Sequence, residues 1–239
     1  MTRALVTGGS NGIGLAIVRA LLDAGHDVVS LDRAPATFSH PALHAITVDL
    51  ADEIATAAAA RQALAAGPIT TLVHNAGAVR PALLADALPS DLAELSRLHL
   101  AAALVLAQAV LPGMRAARFG RIVLIASRAA LGLATRSAYA ATKAGLMALA
   151  RTWALELGPD GITANAVAPG PIETAMFHEI LPQGDPRIAA LARSVPVRRL
   201  GRPEDVARAV MFLADAQSGF VTGQTLFVCG GTSVGSLPL

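Results

Sequence analysis

Short β-branched, apolar runs alternate along this chain with longer segments rich in alanine and leucine, the sequence form of βαβ units wound around a parallel sheet. The pattern predicts strands over residues 3–7, 27–31, 44–47, 71–74, 121–126, 163–167 and 225–228. Between them it predicts helices over 12–24, 52–65, 89–117, 136–157 and 203–214, each bounded by glycine, proline or a polar cap. Seven strands with crossover helices make an α/β fold, a doubly wound parallel seven-stranded sheet in a single domain over 1–239. No Gly/Ser/Pro linker divides it, and no repeat shows beyond the βα alternation. The long irregular stretch, 170–201, carries Met176, Phe177, Ile180 and Leu181. Apolar groups on a loop of that length suggest a substrate lid.

The turn after the first strand reads Thr7-Gly8-Gly9-Ser10-Asn11-Gly12-Ile13-Gly14 and opens the first helix. Glycines at 8, 12 and 14 let backbone approach a pyrophosphate, and a helix N-terminus offers free N–H groups and a partial positive charge. Its GxxxGxG spacing is not GxGxxG, so alone it reads as a nucleotide cradle or as a tight structural turn. Asp32 ends the second strand, about 20 residues further on, where a carboxylate accepts hydrogen bonds from ribose hydroxyls and repels a 2′-phosphate. That favours NAD over NADP. Arg33 argues the other way, since a guanidinium pairs with phosphate, but Ser10 and Asn11 leave the loop itself without a basic residue.

Basic residues are used unevenly. Of 19 Lys+Arg the single lysine is Lys143, and the single tyrosine is Tyr139. Four residues apart on a helix, they share a face. A chain that uses arginine and phenylalanine elsewhere, yet keeps this pair, points to chemistry the substitutes cannot do. A compact ammonium beneath a phenol lowers its pKa from about 10 and makes it a general acid or base. Ser127, at the end of the fifth strand, is placed to hydrogen-bond an alcohol or carbonyl oxygen.

Charge and composition narrow the partners. With 17 Asp+Glu the net charge is +2, too small for a basic face that neutralises several phosphates, so no nucleic acid is expected. Cys229 is the lone cysteine, and Met1 to Thr7 run into the first strand without a signal-peptide pattern, so a cytoplasmic protein is expected. The most apolar stretch, 98–111, contains His99 and Gln108, falls short of the roughly 20 residues that cross a bilayer, and reads as a buried helix, with no membrane partner. No metal site is expected. A mean hydropathy of +0.54 suggests that some helix faces are buried against other subunits.

From the glycine loop to the C-terminal glycines the chain resembles the short-chain dehydrogenase/reductase family. The resemblance is carried by Thr7-Gly-x-x-x-Gly12-x-Gly14, Asp49 after the third strand, Asn75-Ala76-Gly77 after the fourth, Ser127, Tyr139-x-x-x-Lys143, and Pro169-Gly170 with Thr174. It implies a Rossmann-type fold, a bound NAD and hydride transfer between a secondary alcohol and a ketone. It further implies that Asp49 and Leu50 hold the adenine, that Asn75 stabilises the sheet near the cofactor, and that Pro169, Gly170, Ile172 and Thr174 line its nicotinamide end. Tyr139 would be the acid/base, Lys143 would bind the nicotinamide ribose and tune Tyr139, and Ser127 would orient the substrate. Family members commonly form homotetramers through the helices that correspond here to 101–111 and 146–157.

One position departs from the family. Members usually carry an asparagine 24 residues after Asn75 and 28 before Ser127, where it holds a water in a proton relay from the lysine; here that residue is His99. Imidazole also holds a water but titrates near neutral pH, so an altered pH profile is expected. The alternatives are a packing histidine between helices, or a nucleotide-binding protein with little turnover because the relay is broken. His74, before Asn75, is given no role. The apolar lid, without a dense charged group, favours a small or medium uncharged alcohol or ketone over an acyl-carrier thioester. Arg80 and Arg128 flank the site and offer a carboxylate or sulfonate a partner.

Overall fold

The computed structural model describes residues 2–234. Its strands are β1 (Arg3–Thr7), β2 (Asp27–Asp32), β3 (Leu43–Thr47), β4 (Thr71–His74), β5 (Gly120–Ile125), β6 (Ile162–Pro169) and β7 (Thr225–Val228). They form one sheet in the order β3-β2-β1-β4-β5-β6-β7, with every neighbouring pair parallel. Strands β1, β4, β5 and β6 are buried along their whole length, and for that reason they carry apolar residues on both faces, as in Ala4-Leu5-Val6 and Ile122-Val123-Leu124. The winding reverses between β1 and β4, which opens a crevice at the carboxyl ends of the strands.

The helices are α1 (Gly12–Asp23), α2 (Glu53–Leu64), α3 (Pro89–Ser96), α4 (Ala102–Ala117), α5 (Ser137–Leu157), α6 (Ala175–Ile180), α7 (Pro186–Ser194) and α8 (Pro203–Ala214). Successive strand residues point to opposite faces, so the core is two layers. Leu5, Leu72, Ile122 and Leu124 pack with α2, α4 and α5 on one face; Ala4, Val6, Val73 and Val123 pack with α1 and α8 on the other.

Two expectations change. The helix expected over 89–117 is interrupted by a π turn, Arg97–Ala101, in which the Ala102 N–H reaches back five residues to the Arg97 carbonyl. The extra residue per turn swings His99 fully into the interior. Measured as one run, Pro89–Ala117 has 29 residues and is long and apolar enough to cross a membrane by length and composition, which corrects the estimate from 98–111 alone. One of its faces packs on the sheet, while Leu104 on the other is 43% exposed, and 33% of its most apolar 18-residue window is buried. The segment 170–201 is not irregular throughout. Thr174 and Asp185 each accept a backbone N–H and cap α6 and α7, two short helices with no buried residue.

Candidate active site

The glycine loop turns directly from β1 into α1. Gly8 takes φ +68°, and its N–H donates to the Leu31 carbonyl at 2.8 Å, tying the loop to β2. A Cβ on Gly14 would lie 1.9 Å from the Gly8 carbonyl oxygen, so only glycine lets the first turn of α1 sit on the loop. That turn has no side-chain cap from Asn11 and no acidic residue, which leaves its N–H groups for an outside anion. Ile13 faces the α1–α8 core. The Asp32 carboxylate is held at the rim, accepting the Ser10 N–H at 2.9 Å and the Ala34 N–H at 3.1 Å. Arg33 beside it is exposed. The Ser10 hydroxyl donates to the Ala34 carbonyl, so it braces the Asp32 turn.

On the same side, Asp49 is exposed and accepts the Ala51 N–H at 2.9 Å, while the Leu50 side chain lies in the core. At the end of β4, Asn75 donates to the carbonyls of Thr7 at 3.1 Å and Gly8 at 3.0 Å. This amide clamps the loop to the sheet. Ala76 is buried, and a Cβ on Gly77 would meet His99 Nε2 at 3.0 Å and Lys143 Nζ at 3.3 Å.

Ser127, Tyr139 and Lys143 come together where β5 meets α5. Ser127 accepts the Ala129 N–H at 3.1 Å, capping the short turn Arg128–Leu131, and its hydroxyl lies beside the Tyr139 phenol. Lys143 is 3% exposed; its Nζ donates to the Ile125 carbonyl at 2.7 Å and lies 5.7 Å from the centre of the Tyr139 ring. Burial without a carboxylate partner pushes its pKa down to about 7. The Tyr139 phenol is pushed up by burial, and the opposing pulls come from the Ser127 hydrogen bond and the Arg136 charge. This corrects the expectation that Lys143 lowers the phenol. Arg136 went unrecognised because one arginine among many carries no signal.

His99 also departs from expectation. It touches the site, its ring 5.8 Å from that of Tyr139 in an edge-to-face arrangement. Both of its nitrogens are engaged, Nδ1 with the Thr142 hydroxyl at 2.8 Å and Nε2 with the Ala78 N–H at 3.2 Å. Burial and the nearby Lys143 charge push its pKa down to about 2, so it does not titrate near neutral pH.

The lid is anchored at its ends. The Gly170 N–H donates to the Val228 carbonyl at 3.0 Å, Pro169 ends β6, and the buried Ile172 bridges in parallel to Gly201. Thr174 lies over the glycine loop, its Cγ2 3.4 Å from where a Gly12 Cβ would stand. Neither flanking arginine is free. Arg80 pairs with Glu94 at 2.5 Å, and Arg128 donates to the Thr232 carbonyl at 3.1 Å.

Known proteins resemble this chain along nearly its whole length. A family model described as enoyl-(acyl carrier protein) reductase matches residues 8–233. The (2S)-[(R)-hydroxy(phenyl)methyl]succinyl-CoA dehydrogenase subunit BbsD of Thauera aromatica is 40% identical over 242 residues, 97% of this chain and 96% of the relative. An acetoacetyl-CoA reductase of Rhizobium meliloti (strain 1021) is 37% identical over 244 residues, 95% of this chain and 97% of that one. Among solved structures, a gluconate 5-dehydrogenase from Burkholderia cenocepacia J2315 in complex with NADP and tartrate superposes with a TM-score of 0.91 at 34% identity, covering 98% of this chain and 96% of the other.

Proposed function

Because the chain belongs to the short-chain dehydrogenase/reductase family of oxidoreductases, we propose that it interconverts a secondary alcohol and a ketone with NAD, using Tyr139 as general acid/base. The observation that carries this reading is the convergence of the only tyrosine and the only lysine with Ser127 at the mouth of the crevice.

The residues fit a dinucleotide. The uncapped start of α1 with Gly8, Gly12 and Gly14 suits the pyrophosphate, Asp32 the adenosine ribose, and Asp49 with the Leu50 backbone the adenine. Lys143, Asn75 and the 169–174 segment with Thr174 suit the nicotinamide end. When bound, NAD supplies the hydride acceptor at its nicotinamide ring. Ser127 holds the substrate oxygen, and Tyr139 takes the hydroxyl proton in oxidation and returns it in reduction. Lys143, with a pKa near neutrality, can pass a proton onward or keep one.

The substrate expectation is revised toward an acyl thioester bearing a hydroxyl or oxo group on its chain. A hydroxyacyl-CoA dehydrogenase subunit and an acetoacetyl-CoA reductase are similar to this chain over nearly all of its length, and Arg80, paired with Glu94, favours no small carboxylate. The exposed apolar residues on α4 and α5, Leu104 and Leu155, fit burial against second copies in a homotetramer, and the lone Cys229 suits a reducing cytoplasm. Light scattering at micromolar concentration tests the assembly; a monomeric mass contradicts it. The activity test is the appearance of reduced nicotinamide absorbance with NAD and 3-hydroxyacyl-CoA thioesters beside a panel of free secondary alcohols. Turnover of the thioesters supports the full reading; turnover of free alcohols alone retains the chemistry and removes the thioester. Binding of NAD without turnover of any alcohol overturns the reading in favour of a nucleotide-binding protein.

A further inference from the structure

Two buried histidines, His74 on β4 and His99 in the π turn, stand behind the reacting groups, and their proton positions follow from counting donors. Thr7 Oγ1 accepts the N–H groups of Asn75 and Ala76, both at 2.9 Å. With both lone pairs taken, the hydroxyl must give its own proton to His74 Nδ1 at 3.1 Å. His74 therefore carries its hydrogen on Nε2. That atom is buried with no partner in hydrogen-bond range among the described residues, and it faces the backbone carbonyls of Leu98 and His99 in the π turn.

The same count fixes His99. His99 Nε2 faces the Ala78 N–H, which can only donate, so the neutral ring donates from Nδ1 to Thr142 Oγ1 at 2.8 Å, and the Thr142 hydroxyl proton goes to one of the α5 carbonyls, Ala138 at 3.1 Å or Tyr139 at 3.0 Å. His99 carries its hydrogen on Nδ1, and Nε2 accepts the Ala78 N–H at 3.2 Å. The two rings are thus opposite tautomers, both neutral. They form a chain of contacts from Thr7, where the glycine loop begins, through the π turn to Thr142, which adjoins Lys143 and lies within one turn of Tyr139. Among the described residues no other side chain joins the 75–78 loop to α5 by hydrogen bonds on both sides.

We propose that His99 is a positioning residue: it bridges the loop after β4 to α5 and holds Tyr139 and Lys143 in register with the cofactor loop. The imidazole acts here as a rigid two-ended strut, a different task from the titrating water carrier expected from the family position. The kinetic part of this inference rests on the dehydrogenase reading; the tautomer assignment does not.

Two experiments test it. Nitrogen-15 NMR of the ring nitrogens of the free protein should show His99 as the Nδ1–H form and His74 as the Nε2–H form, with neither titrating between pH 5 and 9. An imidazolium, or the reverse tautomer at position 99, overturns the proposal whether or not any substrate is turned over. In kinetics, His99→Phe keeps the ring volume and loses both bonds, while Thr142→Val loses only one partner at nearly unchanged shape. Each should lower kcat about 10- to 100-fold, the cost of a small misplacement of reacting groups. KM for NAD should stay within about threefold, Thr142→Ser should restore the rate, and the double variant should be little worse than either single one. Wild-type kcat in Thr142→Val, or losses that multiply in the double variant, refute the strut.

Discussion

The floor of the crevice and the lid above it are built on opposite terms. The floor is made of strand ends and α5: Thr7, His74, His99, Thr142 and Lys143 are buried, and each is held by hydrogen bonds to neighbouring elements. In the lid, α6 and α7 bury no residue, and Met176 and Ile180 are 38% and 44% exposed. Its ties are at the ends, through Ile172 to Gly201 and Gly170 to Val228. Chemistry needs atoms fixed within fractions of an ångström, whereas admitting a substrate needs a segment that opens at low cost. If the proposed function holds, reaction type belongs to the floor and substrate choice to the segment expected as a lid, and damage to each should leave a different kinetic mark.

The largest effect should come from the floor. Tyr139→Phe removes one oxygen and keeps the ring against His99, so turnover should fall by about two to four orders of magnitude with KM little changed. Stopped-flow or steady-state assay of reduced nicotinamide decides it. An active Phe variant would move the acid/base role elsewhere and end the contrast with the lid.

The floor should also make the fold acid-sensitive. Burial lowers His74 to about 3 and His99 to about 2, from 6.5 in the unfolded chain. Below pH 6.5 the unfolded chain takes up protons that the native state refuses, so stability falls as pH falls. The cost is up to about 1.4 kcal/mol per pH unit for each histidine. Lys143, lowered to about 7, adds a second window, in which stability rises from pH 7 towards 10.5 because only the unfolded chain is still charged. Denaturant midpoints between pH 6.5 and 4.5 measure the histidine part, and His99→Phe should remove about half of that slope. A flat profile in the wild type would mean that the rings are not sealed from solvent.

The floor was readable in the sequence because its signals are local and rare. The sheet follows from apolar runs, the loop from glycine spacing, and Tyr139 with Lys143 from a helical interval between two unique residues. Strand ends moved by no more than two residues: β6, for example, runs Ile162–Pro169 where 163–167 was expected. What stayed hidden depends on contacts distant in sequence. The π turn has no signature in residues 97–101, and the partners that meet His99 there, Ala78 and Thr142, are distant in sequence. Burial among them removes the titration that an isolated histidine suggests. His74 seemed idle because its partners, Thr7 and the π turn, are far away along the chain. The lid helices were hidden for another reason: they are short, unburied and dependent on the caps Thr174 and Asp185.

At the rim between floor and lid the cofactor preference should be smaller but measurable. Asp32 is held by two backbone N–H groups and does not swing away, so it meets a 2′-phosphate with fixed negative charge. Asp32→Ala should narrow the ratio of kcat/KM for NAD over NADP by about tenfold, roughly the 1.4 kcal/mol of one charged contact. A wild-type enzyme that prefers NADP would assign the rim to Arg33.

The smallest effect should come from the lid. Thr174 Oγ1 accepts the Phe177 N–H at 3.2 Å and caps α6, while its methyl group lies over Gly12. Replacing it with alanine removes the cap and part of that contact, at a cost of about 1 kcal/mol confined to a six-residue helix. Because α6 has no buried residue, its loosening need not propagate into the core, and the global unfolding midpoint should stay within about 2 °C of the wild type. The closed lid becomes less populated, so KM should rise about fivefold while kcat changes less than twofold, and Thr174→Ser should restore both. If Thr174→Ala instead lowers kcat as Tyr139→Phe does, or unfolds the protein several degrees earlier, the lid is part of the same rigid unit as the floor and the division of labour between them is wrong.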